Sequence, residues 1–150
     1  MLYLFRFIKF ALAFLVLGWA VQSLWFHSLP RVQLHFGSHA LSVVVADTPG
    51  SRAWGLMYRV ALRNGEGMLF VYPRPRKVCM WMMNTFIPLS VAFIGQDGLV
   101  AGLDDMQPLT RRTHCAPTPV KYALEVPQSW FAANAVTLGN EVTGLPAQSR

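Results

Sequence analysis

Short runs of apolar, often β-branched residues recur along most of the chain, and turn-forming residues separate them. Runs of this length and composition are typical of β-strands. They predict strands over residues 41–45, 68–72, 78–83, 89–94, 99–103 and 121–126, with an edge strand near 138–142 and one more near 32–36. Gln96-Asp97-Gly98 lies between two runs and predicts a hairpin, because glycine accepts the positive φ that such turns require.

Two short helices are expected between these strands. Thr48 and Pro49 predict a helix start, with the threonine hydroxyl as N-cap and proline in the first position, and the helix should continue to about Met57. A second helix is predicted over residues 130–134, with residues 127–129 as its cap.

The loops and the element order decide the fold class. Residues 73–76, Pro-Arg-Pro-Arg, predict an exposed loop, since proline cannot donate to a sheet ladder. Strands that do not alternate regularly with helices favour antiparallel pairing. The sequence therefore predicts a mainly β fold, a compact antiparallel β-sandwich or a partly closed barrel with one or two short helices.

The first 26 residues differ from the rest, because two cations precede an uninterrupted apolar run. Arg6 and Lys9 come before the uncharged stretch 10–21, the order found in a signal peptide or a signal anchor. Apolar residues cover every face of this segment, which predicts a hydrophobic helix in a membrane. Because cations stay on the cytoplasmic side of a bacterial-type inner membrane, the chain beyond is predicted to be periplasmic or extracytoplasmic.

The sequence leaves open whether this leader is removed. Gly18-x-Ala20 offers small residues at the spacing that a signal peptidase needs, with cleavage after Ala20. Apolar character continues beyond that point, however, and residues 10–26 are just long enough to span a bilayer, with Trp19 and Trp25 at the outer interface. An uncleaved leader would make the inner membrane a partner of the chain.

Beyond the leader, the pattern predicts three parts. Residues 27–39 show little periodicity and are interpreted as a linker, residues 40–143 as one β-rich domain, and residues 144–150 as a flexible tail. A domain of about 100 residues is large enough for a single hydrophobic core.

The charge distribution argues against one class of function. The chain carries 13 Lys and Arg residues against 7 Asp and Glu residues, a formal net charge of +6, and two of the cations lie in the leader. Two short basic clusters, at residues 74–77 and 111–112, lack the dense stripe and interleaved aromatic residues of a nucleic-acid interface. We therefore expect no nucleic-acid partner.

A series of motifs after residue 51 resembles a known family. The motifs are Arg52-x-x-Gly55-Leu56-Met57-x-Arg59, Gly67-Met68-Leu69-Phe70-Val71, Trp81-Met82-x-Asn84-Thr85-x-Ile87-Pro88-Leu89, Ala92-Phe93-Ile94 before Asp97-Gly98, and Tyr122-Ala123-Leu124-Glu125-Val126. Together they are similar to the domain of unknown function 192 family, small bacterial and archaeal domains that are often exported. The resemblance covers residues 42–143 and is most specific over residues 80–88. It implies a β-sandwich-like fold and no established activity or cofactor.

At two positions the chain departs from the pattern that this resemblance implies. Met83 stands where the family usually has a basic residue, and Ser90 where it usually has Asp. If the basic residue or the aspartate takes part in a chemistry that the family shares, this chain lacks that charged group.

The two cysteines, Cys79 and Cys115, predict a disulfide, because an even number of cysteines in an exported chain favours pairing. The bridge would restrict the unfolded chain by about 3–4 kcal/mol if its effect is entropic. Two separate buried thiols are the alternative, and a redox-active pair would have a closer spacing such as C-x-x-C.

Sulfur ligands near Cys79 suggest copper as an alternative function. Met80 and Met82 fall on one face of the predicted strand, thioethers suit Cu(I), and His114 could add a nitrogen ligand, as in a metallochaperone. Methionines more commonly fill gaps in a core and pack against aromatic rings, so we predict no metal site.

The candidate ligand-binding residues are charged, polar or aromatic side chains near the strand ends. A guanidinium, an amide, a hydroxyl and an aromatic plane can together hold an anionic or sugar-like ligand. The candidates are Arg52, Arg59, Trp81, Asn84, Thr85, Asp105 and Glu125. The structural alternative is that Arg52 pairs with an acidic neighbour and that Asn84 and Thr85 close a turn.

No motif in the sequence indicates a particular reaction. A nucleophile elbow and a phosphate-binding glycine loop are both missing, and Asp104 and Asp105 would point to opposite faces of a strand. We predict a non-catalytic binding or accessory module of the cell envelope, for a small molecule, a saccharide or a partner protein. The alternatives are the copper metallochaperone and an envelope hydrolase that uses Glu125 or Asp105 with Arg52.

Overall fold

The structure is a computed structural model that describes residues 24, 26 and 28–146. The predicted leader therefore lies outside the described residues except at its end, and so do residues 147–150 of the predicted tail. The elements are β1 (Arg31–Phe36), β2 (His39–Ala46), α1 (Pro49–Trp54), β3 (Glu66–Arg76), β4 (Cys79–Met80), β5 (Leu89–Ile94), β6 (Val100–Met106), β7 (His114–Cys115), β8 (Val120–Pro127), α2 (Trp130–Ala133) and β9 (Val142–Thr143). Within the described ranges, no helix combines the length and apolarity that a membrane crossing needs.

Seven strands form one curled sheet, a half-barrel, in the order β6-β5-β8-β3-β2-β1-β9, and β4 and β7 form a separate ribbon. The mainly β class and the two short helices are confirmed. Of the two predicted architectures, the curled sheet agrees with the partly closed barrel and not with the sandwich. The predicted antiparallel pairing is wrong at one place, because β2 and β3 run parallel, with Ser42 opposite Glu66 and Ala46 opposite Phe70. Parallel neighbours need a long crossover connection, and residues 47–65, which include α1, provide it.

Both faces of the sheet are buried, against different elements. We call one face of the sheet the α1 face. Its buried sheet residues pack against Phe26, the segment after α1, β4 and the segment after β4. These sheet residues include Val44, Met68, Phe70, Val91, Phe93 and Ala123. On the opposite face, the α2 face, Leu69, Ala92, Leu124 and Val126 pack with Trp130 and Phe131 of α2. Side chains alternate between the faces along each strand, so strands covered on both sides have continuous apolar sequences.

Local sequence accounts for the ends of α1. Thr48 accepts a hydrogen bond from the Ser51 N–H at 3.0 Å, and the Ser51 hydroxyl accepts one from the Thr48 N–H, so the pair forms a capping box. The helix stops at Trp54, earlier than the predicted Met57, because Gly55 has a φ of 53° that a helix cannot continue.

The second helix begins differently from the prediction. Ser129 has a left-handed backbone, with a φ of 67°, and its side chain makes no capping hydrogen bond. The hairpin between β5 and β6 is confirmed, and Gly98 has a φ of 82° in its turn.

Two strand predictions need correction. Residues 73–76 are exposed as expected, but they continue β3 to Arg76 rather than forming a loop. The pairing with β8 shifts between Val71 and Arg76, the stretch that contains Pro73 and Pro75, in agreement with the inability of proline to donate to a sheet ladder. The strand predicted over 78–83 is reduced to the two residues of β4.

The sheet extends beyond the segment predicted as the domain. Residues 27–39, interpreted as a linker, contain β1, which pairs with both β2 and β9. At the other end, Leu145 packs against the core of the α2 face, and the Tyr122 hydroxyl donates to the Pro146 carbonyl at 3.2 Å. The first residues of the predicted tail are therefore part of the packed domain.

Candidate functional site

Four of the seven predicted ligand-binding residues line one small cleft on the α1 face: Arg52, Trp81, Thr85 and Glu125. The cleft is bounded further by Ala53, Trp54, Gly55, Leu56, Met57, Phe70 and Met80. Its cavity volume is about 30 Å³. That space holds roughly two water molecules, or the end of one polar substituent of a larger ligand.

Glu125 gives this cleft a buried acid. It lies on β8 opposite Met68 of β3 and Val91 of β5, and it is only 4% exposed. No described residue forms a hydrogen bond with its carboxyl group. Every fully enclosed side-chain nitrogen or oxygen of the described residues does have a partner, so the Glu125 oxygens must be open to the cleft. Burial raises the pKa of Glu125 to about 8, which leaves the group uncharged at neutral pH.

Arg52 contributes a fixed positive charge to the same cleft. Its Nη1 donates to the carbonyl of Val71 at 3.0 Å and to the carbonyl of Asp47, and its Cζ lies 5.2 Å from the ring centroid of Tyr72. The structural alternative of an acidic partner is therefore wrong, since its partners are uncharged carbonyls and a ring. Because these contacts hold the guanidinium without neutralising it, its charge remains available to an acceptor in the cleft.

Exposed aromatic side chains surround the cleft. Trp81 is 52% exposed and Trp54 is 44% exposed, and both contribute to its lining. The Trp54 ring lies 5.8 Å from that of Tyr58, which lies 6.1 Å from that of Phe86. Large aromatic side chains are usually well buried, so a group of this size on one surface indicates a contact surface.

Thr85 and Asn84 have different roles. Thr85 is buried in the cleft lining, and its hydroxyl donates to the Met83 carbonyl at 3.4 Å. Asn84 is outside the lining and has a φ of 57°, a left-handed conformation that asparagine tolerates. Its carbonyl accepts a hydrogen bond from the Tyr58 N–H at 2.7 Å, so Asn84 positions the aromatic residues around the cleft.

The remaining two candidates lie elsewhere. Arg59 packs over Phe26, with its Cζ 3.7 Å from the ring centroid. Asp105 belongs to the row of residues that includes Ser90 and Val126, on the α2 face, and it accepts a hydrogen bond from the Ser90 hydroxyl. Asp105 therefore cannot act together with Arg52, which was one of the two pairs that the hydrolase alternative offered; the other pair, Glu125 with Arg52, lines the cleft.

The predicted disulfide is present between Cys79 and Cys115, which face each other across β4 and β7. Met80 and Met82, the thioethers considered as copper ligands, are buried in the core of the α1 face. The Nδ1 of His114 lies 2.6 Å from an oxygen of Asp104. The disulfide removes the thiolates as ligands. Among the described residues, no group of three or more His, Cys, Asp or Glu side chains could hold a metal ion.

Wider depressions, with cavity volumes of about 390 to 600 Å³, lie away from this cleft: two are on the α2 face, and one is at the β6 edge of the sheet, where Phe93 and Cys115 contribute to its lining. Two of them include Asp104, and one includes Asp105. Those carboxylates already have partners in His114 and Ser90, which distinguishes them from Glu125.

Comparison with known families agrees with this fold. The family model DUF192, domain of unknown function 192, described as "Uncharacterized ACR", matches residues 32–144. The chain belongs to the DUF192 family. The resemblance seen in the motifs is thus confirmed, and the match also includes most of β1.

Two solved structures resemble this DUF192 chain. One is a proposed transcription regulator from Sinorhizobium meliloti 1021, 35% identical, covering 76% of this chain and 92% of that chain with a TM-score of 0.72. The other is a protein of unknown function from Novosphingobium aromaticivorans DSM 12444, 30% identical, covering 75% and 82% with a TM-score of 0.70. Among curated proteins, none matches the chain.

The structure explains one of the two departures from the DUF192 pattern. The Ser90 hydroxyl donates to Asp105, and its oxygen accepts the Ser129 N–H at 2.9 Å. An aspartate at position 90 would place a second carboxylate against Asp105, so serine suits its neighbour here. Met83 is half-buried and outside the cleft lining, and nothing in the structure explains the loss of the basic residue.

Sequence reasoning missed Trp54, Tyr58 and Phe86. Each lies next to or between motif residues, and the usable signal was three large aromatic side chains in short segments that flank a glycine or a turn. The three rings lie close together because Tyr58 has a left-handed backbone, with a φ of 62°. No sequence pattern predicts this conformation for a tyrosine.

Proposed function

We propose that this DUF192 domain is a non-catalytic saccharide-binding module of the cell envelope. Its ligand would place a polar substituent in the cleft and lay sugar rings against Trp81 and Trp54. The observation that carries this proposal is the buried carboxyl group of Glu125, which has no hydrogen-bond partner in the described chain and opens onto the cleft.

The polar groups of the cleft suit a hydroxyl-rich ligand. The protonated Glu125 can donate one hydrogen bond and accept others, and Arg52 donates only. The Glu125 oxygens have no partner in the described chain, so a ligand that reaches them can form a hydrogen bond worth about 0.5–1.5 kcal/mol. The cleft favours ligands with a small acceptor, such as an acyl carbonyl, a hydroxyl or a carboxylate.

The size of the cleft argues for an extended ligand. Small-molecule pockets usually enclose about 300–1,000 Å³, far more than this cavity offers. A sugar ring would therefore stay outside the cavity, in contact with the exposed indole rings. A chain of sugars could continue along the aromatic surface from Trp54 to Tyr58.

The leader and the disulfide support the location that we propose. Two cations before an apolar run are the order of an export signal, and disulfides persist in oxidising compartments such as the periplasm. In this proposal the domain lies outside the inner membrane. If the leader is uncleaved, the part of residues 10–26 that precedes Phe26 anchors it, because Phe26 itself is buried in the domain core.

Catalysis is the weaker alternative. Sugar hydrolysis commonly uses two carboxyl groups on opposite sides of the scissile bond. Glu125 is the only carboxyl group among the described residues that line the cleft, and Asp105 lies on the α2 face. The structure thus offers an acid without a matching base.

The test is a binding measurement with three sets of tetrasaccharides, neutral, N-acetylated and acidic, by calorimetry on the full chain. We expect one set to bind, and Glu125→Leu to abolish binding while it raises the free energy of unfolding. Asp105→Asn, which changes a carboxyl group on the opposite face, should bind as the wild type does. Lack of binding by all sets, or equal binding by Glu125→Leu, would overturn the proposal.

A further inference from the structure

The N-terminal segment meets the domain at a defined place. Phe26, the last residue of the predicted leader, is fully buried in the core of the α1 face, together with Leu56 and Leu89. Leu24, two residues earlier, is 71% exposed. Phe26 is thus part of the domain core, and a membrane that held the sequence directly before it would lie close to the domain surface around Phe26.

The guanidinium groups of Arg31 and Arg59 lie beside the ring of Phe26. The Cζ of Arg59 is 3.7 Å from the centroid of the Phe26 ring, and the Cζ of Arg31 is 5.5 Å from it. Glu66 acts on Arg59 at longer range, but among the described residues no Asp or Glu side chain forms an ion pair with either arginine. The surface around Phe26 thus carries two guanidinium groups that form no ion pair within the described chain.

Exposed apolar side chains continue from these arginines. Val60, next to Arg59, is 64% exposed, and Tyr58 and Phe86 are 43% and 48% exposed with rings 6.1 Å apart. The Tyr58 N–H is bonded to the Asn84 carbonyl at 2.7 Å, which holds the segments of the two rings together. Aromatic rings beside arginines are typical of surfaces that lie at the level of lipid headgroups.

We propose that the surface formed by Arg31, Tyr58, Arg59, Val60 and Phe86 docks the domain onto an anionic lipid bilayer. The arginines would bind lipid phosphates, for which a guanidinium has suitable paired donors. The rings and Val60 would lie among the headgroups, where apolar contact and a polar edge are both satisfied. This proposal does not depend on the ligand of the cleft, although Trp54 adjoins both surfaces.

The experiment uses the full chain in lipid nanodiscs that contain a lipid with a nitroxide on its headgroup. Paramagnetic broadening of backbone amide signals then reports which residues are near the headgroups. In nanodiscs with phosphatidylglycerol, we expect the amides of Tyr58, Val60 and Phe86 to broaden several-fold more than those of Ser90 and Asp105 on the α2 face. High salt should reduce the difference, because it screens contacts between exposed charges and phosphates.

Two variants separate docking from attachment by the leader alone. Arg31→Gln with Arg59→Gln should remove the preference for one face, whereas Arg111→Gln with Arg112→Gln, the same charge change on an exposed loop, should keep it. Because Arg59 also packs on Phe26, Tyr58→Ser with Phe86→Ser provides a second test that leaves both arginines in place and should likewise lose the broadening.

Three results would overturn the proposal. Equal broadening on both faces would show that the leader tethers the domain without a preferred face. Unchanged broadening in both test variants would show that these side chains do not contact lipid. Signal changes at Tyr58 and Phe86 that follow protein concentration without lipid would assign the surface to contact between copies of the chain.

Discussion

Two carboxyl groups on the same sheet have opposite environments. Asp105, on the α2 face, accepts a hydrogen bond from Ser90, whose oxygen in turn accepts the Ser129 N–H. Glu125, on the α1 face, is almost completely buried and has no such partner in the described chain. Ser90 thus links Asp105 to the start of α2, whereas the carboxyl group of Glu125 makes no hydrogen bond within the described chain and opens onto the cleft. A carboxyl group that faces a cleft and has no partner within the protein is a candidate contact for a ligand.

The largest expected effect concerns the pH dependence of stability. The ordinary pKa of Glu125 is near 4.5, and burial raises it to about 8 in the folded chain. Between these values the folded state holds a proton that the unfolded state has released, so stability falls as pH rises from about 4.5 to about 8. The loss is up to about 5 kcal/mol, a slope of about 1.4 kcal/mol per pH unit.

Denaturant unfolding at several pH values measures this slope. Glu125→Gln should remove it, because the amide does not titrate, and Asp105→Asn should retain it. If the slope survives in Glu125→Gln, the titrating group is not Glu125, and the contrast between the two faces loses its electrostatic basis.

The disulfide should have the next largest effect. Cys79 and Cys115 are 36 positions apart in the sequence, and their replacement by alanines should lower the free energy of unfolding by about 3–4 kcal/mol. Chemical denaturation with and without a reductant checks this, since reduction should destabilise the wild type and leave the double variant unchanged. An unchanged wild type would show that the β4–β7 ribbon is held by packing alone.

Ser90→Ala tests the satisfied side of the comparison. It removes a donor to Asp105 and an acceptor for the Ser129 N–H, and it should cost about 1–2 kcal/mol of stability. Saccharide affinity should not change, because the α2 face takes no part in the cleft. Thermal unfolding measures the stability and calorimetry measures the saccharide affinity on the same samples. A loss of affinity would show that the α2 face contributes to binding, which contradicts the assignment of the cleft to the α1 face alone.

Trp81→Ala should have the smallest effect on stability and a large one on binding. The side chain is 52% exposed, so the free energy of unfolding should change by less than about 0.5 kcal/mol. Affinity for the saccharide should fall by about tenfold or more if the ring is a main contact. Leu138→Ala, at a site 63% exposed, is the matched control and should bind normally.

Some of this architecture could be predicted from sequence because it is local. The Thr48 cap, the Gly98 hairpin and the apolar runs of β5 and β8 each depend on a few neighbouring residues. The parallel pairing of β2 with β3 depends on a crossover of 19 residues, 47–65, that has no repeated pattern. Non-local pairing of that kind is set by tertiary packing rather than by any local signal.

The site residues likewise include some that local patterns predict and others whose position depends on non-local pairing. Alternation correctly placed Glu125 on one face with Ala123, and motif residues supplied Arg52, Trp81 and Thr85. The sequence could not separate Asp105 from them, because only the register between β5, β6 and β8 shows which row each carboxylate joins.

The central claim is that a saccharide forms a hydrogen bond with the carboxyl group of Glu125. A nuclear magnetic resonance titration of the full chain with the three tetrasaccharide sets tests this directly. We predict that one set shifts the indole N–H signals of Trp54 and Trp81 and the amide of Thr85, and leaves Ser90 and Asp105 unaffected. Shifts confined to the α2 face, or none with any set, would contradict it.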